Sequence, residues 1–127
     1  MDFSHYLADK LIDATVRNTP YDTPVKAWVA LYTTNPTKLD VGVEVKEPSY
    51  NRQEIVMSVP VEGQSENSAQ IDFAEATSNW GMVTHIGIRD QAYDGNLLYF
   101  TAIANPKNIL TGDQFKVNID KLKLTLT

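Results

Sequence analysis

Apolar residues follow two different periods along this chain. Over residues 1–16, Phe3, Leu7, Leu11 and Ala14 recur at helical spacing, with Tyr6, Ile12 and Val16 beside that stripe. This predicts a helix over residues 1–17, with Asp2 near the favourable N-terminal end of its dipole and Arg17 near the other. Pro20 and Pro24 prevent its continuation. A helix of about four turns is marginal alone in water, so the stripe must bury against its own sheet or against a partner.

After Pro24 the helical period disappears. Residues 26–33 (KAWVALYT) form a nearly continuous apolar and β-branched run, as expected of a strand buried on both faces. Asn35, Pro36 and Thr37 signal a turn. Val41, Val43 and Val45 alternate with Gly42 and Glu44, fitting either a strand or an extended loop. Residues 53–61 put Ile55, Met57 and Val59 on one side, with Pro60 marking an edge or an end. Residues 63–67 read as a polar turn, and 68–73 return to alternation through Ala69, Ile71 and Phe73.

A loop over 74–79 leads to Trp80 and Gly81, a large anchor beside a flexible backbone position, and to a strand over 82–89. Asp94–Gly95 is a hairpin signal, since both positions tolerate positive φ. The second continuous apolar run covers 96–104, and Gly112–Asp113 marks another expected hairpin. Phe115, Val117 and Ile119 alternate with polar residues, as do Leu122, Leu124 and Leu126. The parity shifts between Ile119 and Leu122, which predicts a bulge or bend. One helix and about eight short strands with polar turns describe an all-β, mainly antiparallel architecture. A jelly-roll-like or Greek-key sandwich over residues 25–127 is expected, within a single domain of 127 residues.

Composition narrows the functions open to such a sandwich. Eleven Lys and Arg against sixteen Asp and Glu leave a formal charge of −5, the wrong sign for broad phosphate-backbone binding or anionic lipid. No nucleic-acid or membrane partner is therefore expected. No stretch approaches the roughly 20 apolar residues of a membrane span. No secretory signal is expected from the N-terminal pattern. With no cysteine there is no thiol nucleophile, disulfide or thiolate metal site.

The remaining chemistry is sparse. His5 reads as an exposed helix residue and His85 as a strand histidine hydrogen-bonded in or near the core. No Gly-rich phosphate loop and no Gly-x-Ser-x-Gly elbow is present. Asp90 with Asp94, or Asp72 with Glu75, are the carboxylate pairs able to converge, and solvated turn residues are their default reading. No cofactor, metal or catalytic residue is expected, and an enzyme is the least favoured class. Most aromatics fall inside strands and read as core. Tyr21, Tyr50 and Tyr93 fall in loops, where tyrosine serves protein or sugar contacts as readily as packing. Gly87, inside a strand, suits a bulge or the close approach of another chain. Lys116, Lys121 and Lys123 read as a solvated strand face that discourages edge pairing.

Several segments acquire meaning from their order. The helix FSHYLADKLIDATV is followed by WVALYTTNPT, SYNRQ, NWGMVTHIGIRD, DGNLLYF and a closing TGDQF…LTLT. Together they resemble a family of small virion proteins of tailed bacteriophages, described as tail-fibre, head-fibre or capsid-decoration proteins. The similarity spans nearly the whole chain and is most specific at Trp80–Gly81, Thr84–Ile88 and Gly95–Leu98. The resemblance implies a non-enzymatic structural part. The leading expectation is a cement protein on the outer capsid surface, bound to the major capsid protein or other virion proteins and self-associated as a dimer or trimer. A tail-fibre or baseplate adaptor and a carbohydrate-binding adhesion module are the alternatives. Phe3, Tyr6, Leu7, Tyr21 and Tyr50 are the candidate partner-contact residues.

Overall fold

The two continuous apolar runs become strands on either side of the longest fully sandwiched one. The computed structural model describes residues 1–126; Thr127, the last residue of the expected sandwich, lies outside the described residues. In chain order the elements are β1 (Asp2–Phe3), α1 (His5–Val16), β2 (Ala27–Tyr32), β3 (Gln53–Ile55), β4 (Gln64–Glu66), β5 (Ile71–Asp72), β6 (Gly81–Arg89), β7 (Leu97–Ile109), β8 (Lys116–Val117) and β9 (Lys123–Thr125). Five of them form one antiparallel sheet in the order β1-β7-β6-β2-β3. The pairs β4-β9 and β5-β8 are two short antiparallel ribbons.

The main core lies between the sheet and these ribbons. Val29 and Leu31 of β2 and Ile86 and Ile88 of β6 pack with Ile71, Phe73, Phe115, Val117 and Leu122. Ala30, Tyr32, Leu97 and Phe100 form a second buried cluster. Burial of both sets is why β2 and the start of β7 lack a polar face. Gly87 sits inside that second cluster, where a Cβ would come within 2.7 Å of the Tyr32 ring and 2.8 Å of Leu97. The close approach that its sequence position suggests is thus made by the protein's own side chains.

The helix starts later than its apolar period suggests. Ser4 is extended and caps α1, accepting from the Leu7 amide at 3.1 Å while its hydroxyl donates to the Leu97 carbonyl. Capping leaves Phe3 in β1, paired with Tyr99 of β7. The helix packs on β7 and closes at Arg17, followed by Asn18 in the left-handed region (φ 53°).

Three expectations, one of a strand and two of turns, need correction. Residues 53–61 form a strand only over Gln53–Ile55, followed by an isolated bridge from Met57 to Asn67. The turn placed at 63–67 lies at Glu62–Gly63, both at positive φ, with Val61 and Gln64 exchanging two backbone hydrogen bonds; β4 occupies what reads as turn. Gly112–Asp113 lies in a turn closed by the Asp113 amide on the Leu110 carbonyl, but it joins no hairpin, because β7 pairs with β6 and β8 with β5. The parity shift before Leu122 is a turn over residues 118–121 with Asp120 at φ 67°. The Asp94–Gly95 turn stands as expected, at φ 49° and 70°.

Candidate functional site

The ends of β2 and β6 carry two long loops, over residues 33–52 and 90–96, and two arginines lock them together. Arg89 is the last residue of β6 and is only 7% exposed. Its guanidinium donates to both carboxylate oxygens of Asp40, at 2.8 and 2.9 Å. It also donates to the Tyr32 hydroxyl at 2.9 Å, the Gly95 carbonyl at 2.9 Å and the Asp94 carbonyl at 3.2 Å. Burial opposes the charge of Arg89, but the hydrogen bonds it donates to Asp40 and Tyr32 outweigh it and hold its pKa above the usual range.

Arg52 forms the second clamp. It pairs with both oxygens of Glu44, at 2.7 and 2.9 Å, with side-chain exposures of only 8% and 18%. Its remaining terminal nitrogen donates to the Gln91 and Asp94 carbonyls at 2.9 and 2.8 Å. The Tyr50 hydroxyl donates to the same Glu44 carboxylate and accepts from the Leu31 amide at 3.0 Å. Burial, then the Glu44 charge, pushes the Tyr50 hydroxyl well above the usual tyrosine range. Asp90 completes the set by accepting from the Asn96 backbone and side-chain amides at 2.7 and 3.1 Å. Above the Arg52–Glu44 pair lies an open cleft of about 470 Å³, with Asn51, Tyr93 and Asp94 on its rim.

The candidate contact residues do not all come together. Phe3 and Tyr99 meet edge to face at 5.9 Å, and the Tyr21 hydroxyl lies among Tyr6, Asp90 and Tyr99. Phe3, Tyr6 and Tyr21 thus gather by Tyr99, each part-buried. Among the described residues the enclosed Tyr21 hydroxyl has no partner within ordinary hydrogen-bond distance, and burial followed by these neighbours raises its pKa. Leu7 is 3% exposed, so the protein's own packing covers the side chain that was a candidate contact. Tyr50 is a packing residue as much as a loop residue. Its ring stacks on Phe73 at 6.0 Å and meets Trp80 edge to face at 5.5 Å.

Other apolar side chains are more open than any of these. Val59 is 84% exposed, Val61 68% and Val16 77%. Sequence reasoning assigned no surface role to Val59 or Val61, because alternation alone places Val59 on the inner face of a longer strand.

The carboxylates that build the loop network are all engaged. Asp40 and Glu44 are each held by a guanidinium, and Asp90 by the Asn96 amides. His85 is part-buried, shares a 2.8 Å hydrogen bond with Thr84, and has its pKa lowered by desolvation; His5 is exposed. Among the described residues no group of three or more His, Asp or Glu is placed to hold a metal ion. Among the described residues no helix is long and apolar enough to cross a membrane. What the network does is hold two loops rigid at one end of the sheet.

The curated proteins compared with the chain give no match. The resemblance to tailed-phage virion proteins is nonetheless borne out over almost the full length. A family model described as "Podophage GP4 fiber I protein gp80" matches residues 2–125, and the chain belongs to that family of phage fibre proteins.

Proposed function

We propose that this chain is a non-enzymatic structural subunit of a phage virion fibre, held by protein–protein contacts. The family match over residues 2–125 carries the reading, because it spans the helix, the sheet and both ribbons together. The loop network agrees with it, since its carboxylates are spent on fixing loops. The family description supports a fibre over the capsid cement role that the resemblance puts first. A tail-fibre or adaptor position among other virion proteins becomes the leading one.

Exposed Val56, Val59 and Val61 on the segment between β3 and β4 offer the apolar area for a virion partner. Self-association belongs to the same proposal. β1 covers β7 only at Tyr99 and Phe100, so the edge beyond is open, with Pro106 and Lys107 limiting how far a second strand can extend. Immunogold labelling of intact virions tests the assignment. Gold on slender appendages supports it, whereas gold spread evenly over the head restores the cement role and defeats this one.

A further inference from the structure

The Asp94–Gly95 turn carries a reactive dipeptide that the fold requires. It is the only Asp–Gly step in the sequence, and no Asn–Gly step is present. Gly95 sits at φ 70°, and an added Cβ there would run into the Asp90 carboxylate and lie 3.0 Å from the Gln91 Cβ. Asp90 is fixed in that place by the Asn96 backbone and side-chain amides. Both space and backbone conformation therefore demand glycine, so the amide nitrogen after Asp94 has no side chain of its own to shield it. Asp94 is exposed. Among the described residues neither its carboxylate nor the Gly95 amide makes a hydrogen bond.

We infer that Asp94 is a site of spontaneous isomerisation to isoaspartate, and that the two arginine clamps set its rate. The chemistry needs water alone. With the Asp94 carboxyl protonated, the Gly95 nitrogen attacks its carbon, and the hydroxyl leaves with the amide proton as water, closing a cyclic imide. Water then adds to either imide carbonyl. Opening at the side-chain carbonyl restores aspartate. Opening at the main-chain carbonyl gives isoaspartate, whose backbone runs through the Asp94 Cβ and is one atom longer.

The folded turn blocks the first step. A non-glycine residue at φ 49° has ψ of about +30 to +60°. That places the Gly95 nitrogen nearly opposite the Asp94 side chain about the Cα–C bond, whereas the imide needs the two on the same side. The peptide between them must rotate, and the clamps resist that rotation. Arg52 and Arg89 hold the Asp94 carbonyl at 2.8 and 3.2 Å, and Arg89 holds the Gly95 carbonyl at 2.9 Å. Each guanidinium is itself fixed by a carboxylate, Glu44 for Arg52 and Asp40 for Arg89. The reaction therefore proceeds from the locally opened loop, and its rate follows the population of that state.

This chemistry does not depend on the fibre assignment, so either can fail alone. The test incubates the full-length chain near neutral pH, folded and in urea. Peptide mapping follows Asp94, with isoaspartate read by electron-transfer fragmentation and by enzymatic methylation of its carboxyl. Isoaspartate at Asp94 should accumulate in urea, and at least about tenfold more slowly in the folded chain. Arg52→Ala removes the bonds to the Gln91 and Asp94 carbonyls, and should speed the folded reaction by about tenfold. Asn67→Leu weakens the fold away from these loops and should leave the folded rate at the wild-type value, which separates loop opening from global unfolding. The comparison of folded chain with urea needs no variant and stands even if Arg52→Ala does not fold. No isoaspartate at Asp94 in urea, equal rates folded and in urea, no acceleration by Arg52→Ala, or equal acceleration by Asn67→Leu would each overturn the inference.

Discussion

Arg89 and Asp40 form a bidentate ion pair, at 2.8 and 2.9 Å, between the end of a central strand and a loop 49 residues away in sequence. The pair does more than tie two charges together. Arg89 also bonds the Asp94 and Gly95 carbonyls, so one side chain fixes both loops relative to the sheet. Breaking a buried pair from one side strands its other members. Arg89→Lys keeps the charge but loses the planar fork, and should cost about 2–4 kcal/mol in chemical denaturation. Asp40→Asn should cost less, because Arg89 retains Tyr32 and two carbonyls. Equal losses for the two variants would show that the loop carbonyls contribute nothing.

Asn67 holds the second layer in the way Arg89 holds the loops. It is fully buried and donates to the Ala69 and Asn118 carbonyls at 2.9 Å each, while accepting from the Leu122 amide at 2.9 Å. Asn67→Leu leaves those buried backbone groups unpaired, and should cost about 2–4 kcal/mol. Hydrogen exchange should show the loss concentrated at β4, β9 and residues 118–122. Protection lost evenly over the whole chain would contradict this placement.

Two tyrosines should respond to loss of the hydroxyl in opposite directions. Tyr50→Phe removes a donor to Glu44 and an acceptor for the Leu31 amide, and should cost about 1–3 kcal/mol. Tyr21→Phe removes a hydroxyl that is enclosed without a partner among the described residues, so stability should be unchanged or higher by up to about 1 kcal/mol. Denaturation midpoints measured side by side decide the matter, and a Tyr21→Phe loss equal to that of Tyr50→Phe would refute it.

Buried tyrosines set an alkaline limit. Burial, then Glu44, raises Tyr50, and burial raises Tyr32 and Tyr99. In the unfolded chain tyrosine ionises near pH 10. Above that pH the unfolded state releases protons that the folded state keeps, so stability falls as pH rises past about 10 and is fully present below it. Unfolding midpoints measured between neutrality and strong alkali should show this fall, with a shallower slope for Tyr50→Phe. An identical slope would mean that Tyr50 is not among the groups responsible.

Elements buried on both faces were the most legible in the sequence. β2 and β7 read as unbroken apolar runs because clusters on both sides of the sheet take their side chains. The Asp94–Gly95 turn was legible because local backbone preference alone determines it. β4 was not, since its three residues Gln64, Ser65 and Glu66 are polar and its pairing comes from β9, about sixty residues on. The helix boundary was misplaced because Asp2 and Phe3 pair with β7, a long-range contact that takes them out of the helical period although Ser4 itself is a local cap signal. Tyr50 looked like a loop residue available for contact, and its stacking on Phe73 and Trp80 depends wholly on the tertiary fold. The two arginine clamps share that reason, since their partners lie 5 to 57 residues away and no periodicity links them.

The central claim is that this chain is built into a virion fibre. A cryo-electron-microscopy reconstruction of the intact virion tests it most directly. The expected result is density for this sandwich within a fibre, in contact with neighbouring virion proteins through the exposed valines between β3 and β4. Density for the chain repeated across the capsid lattice, or particles that lack the chain altogether, would contradict it.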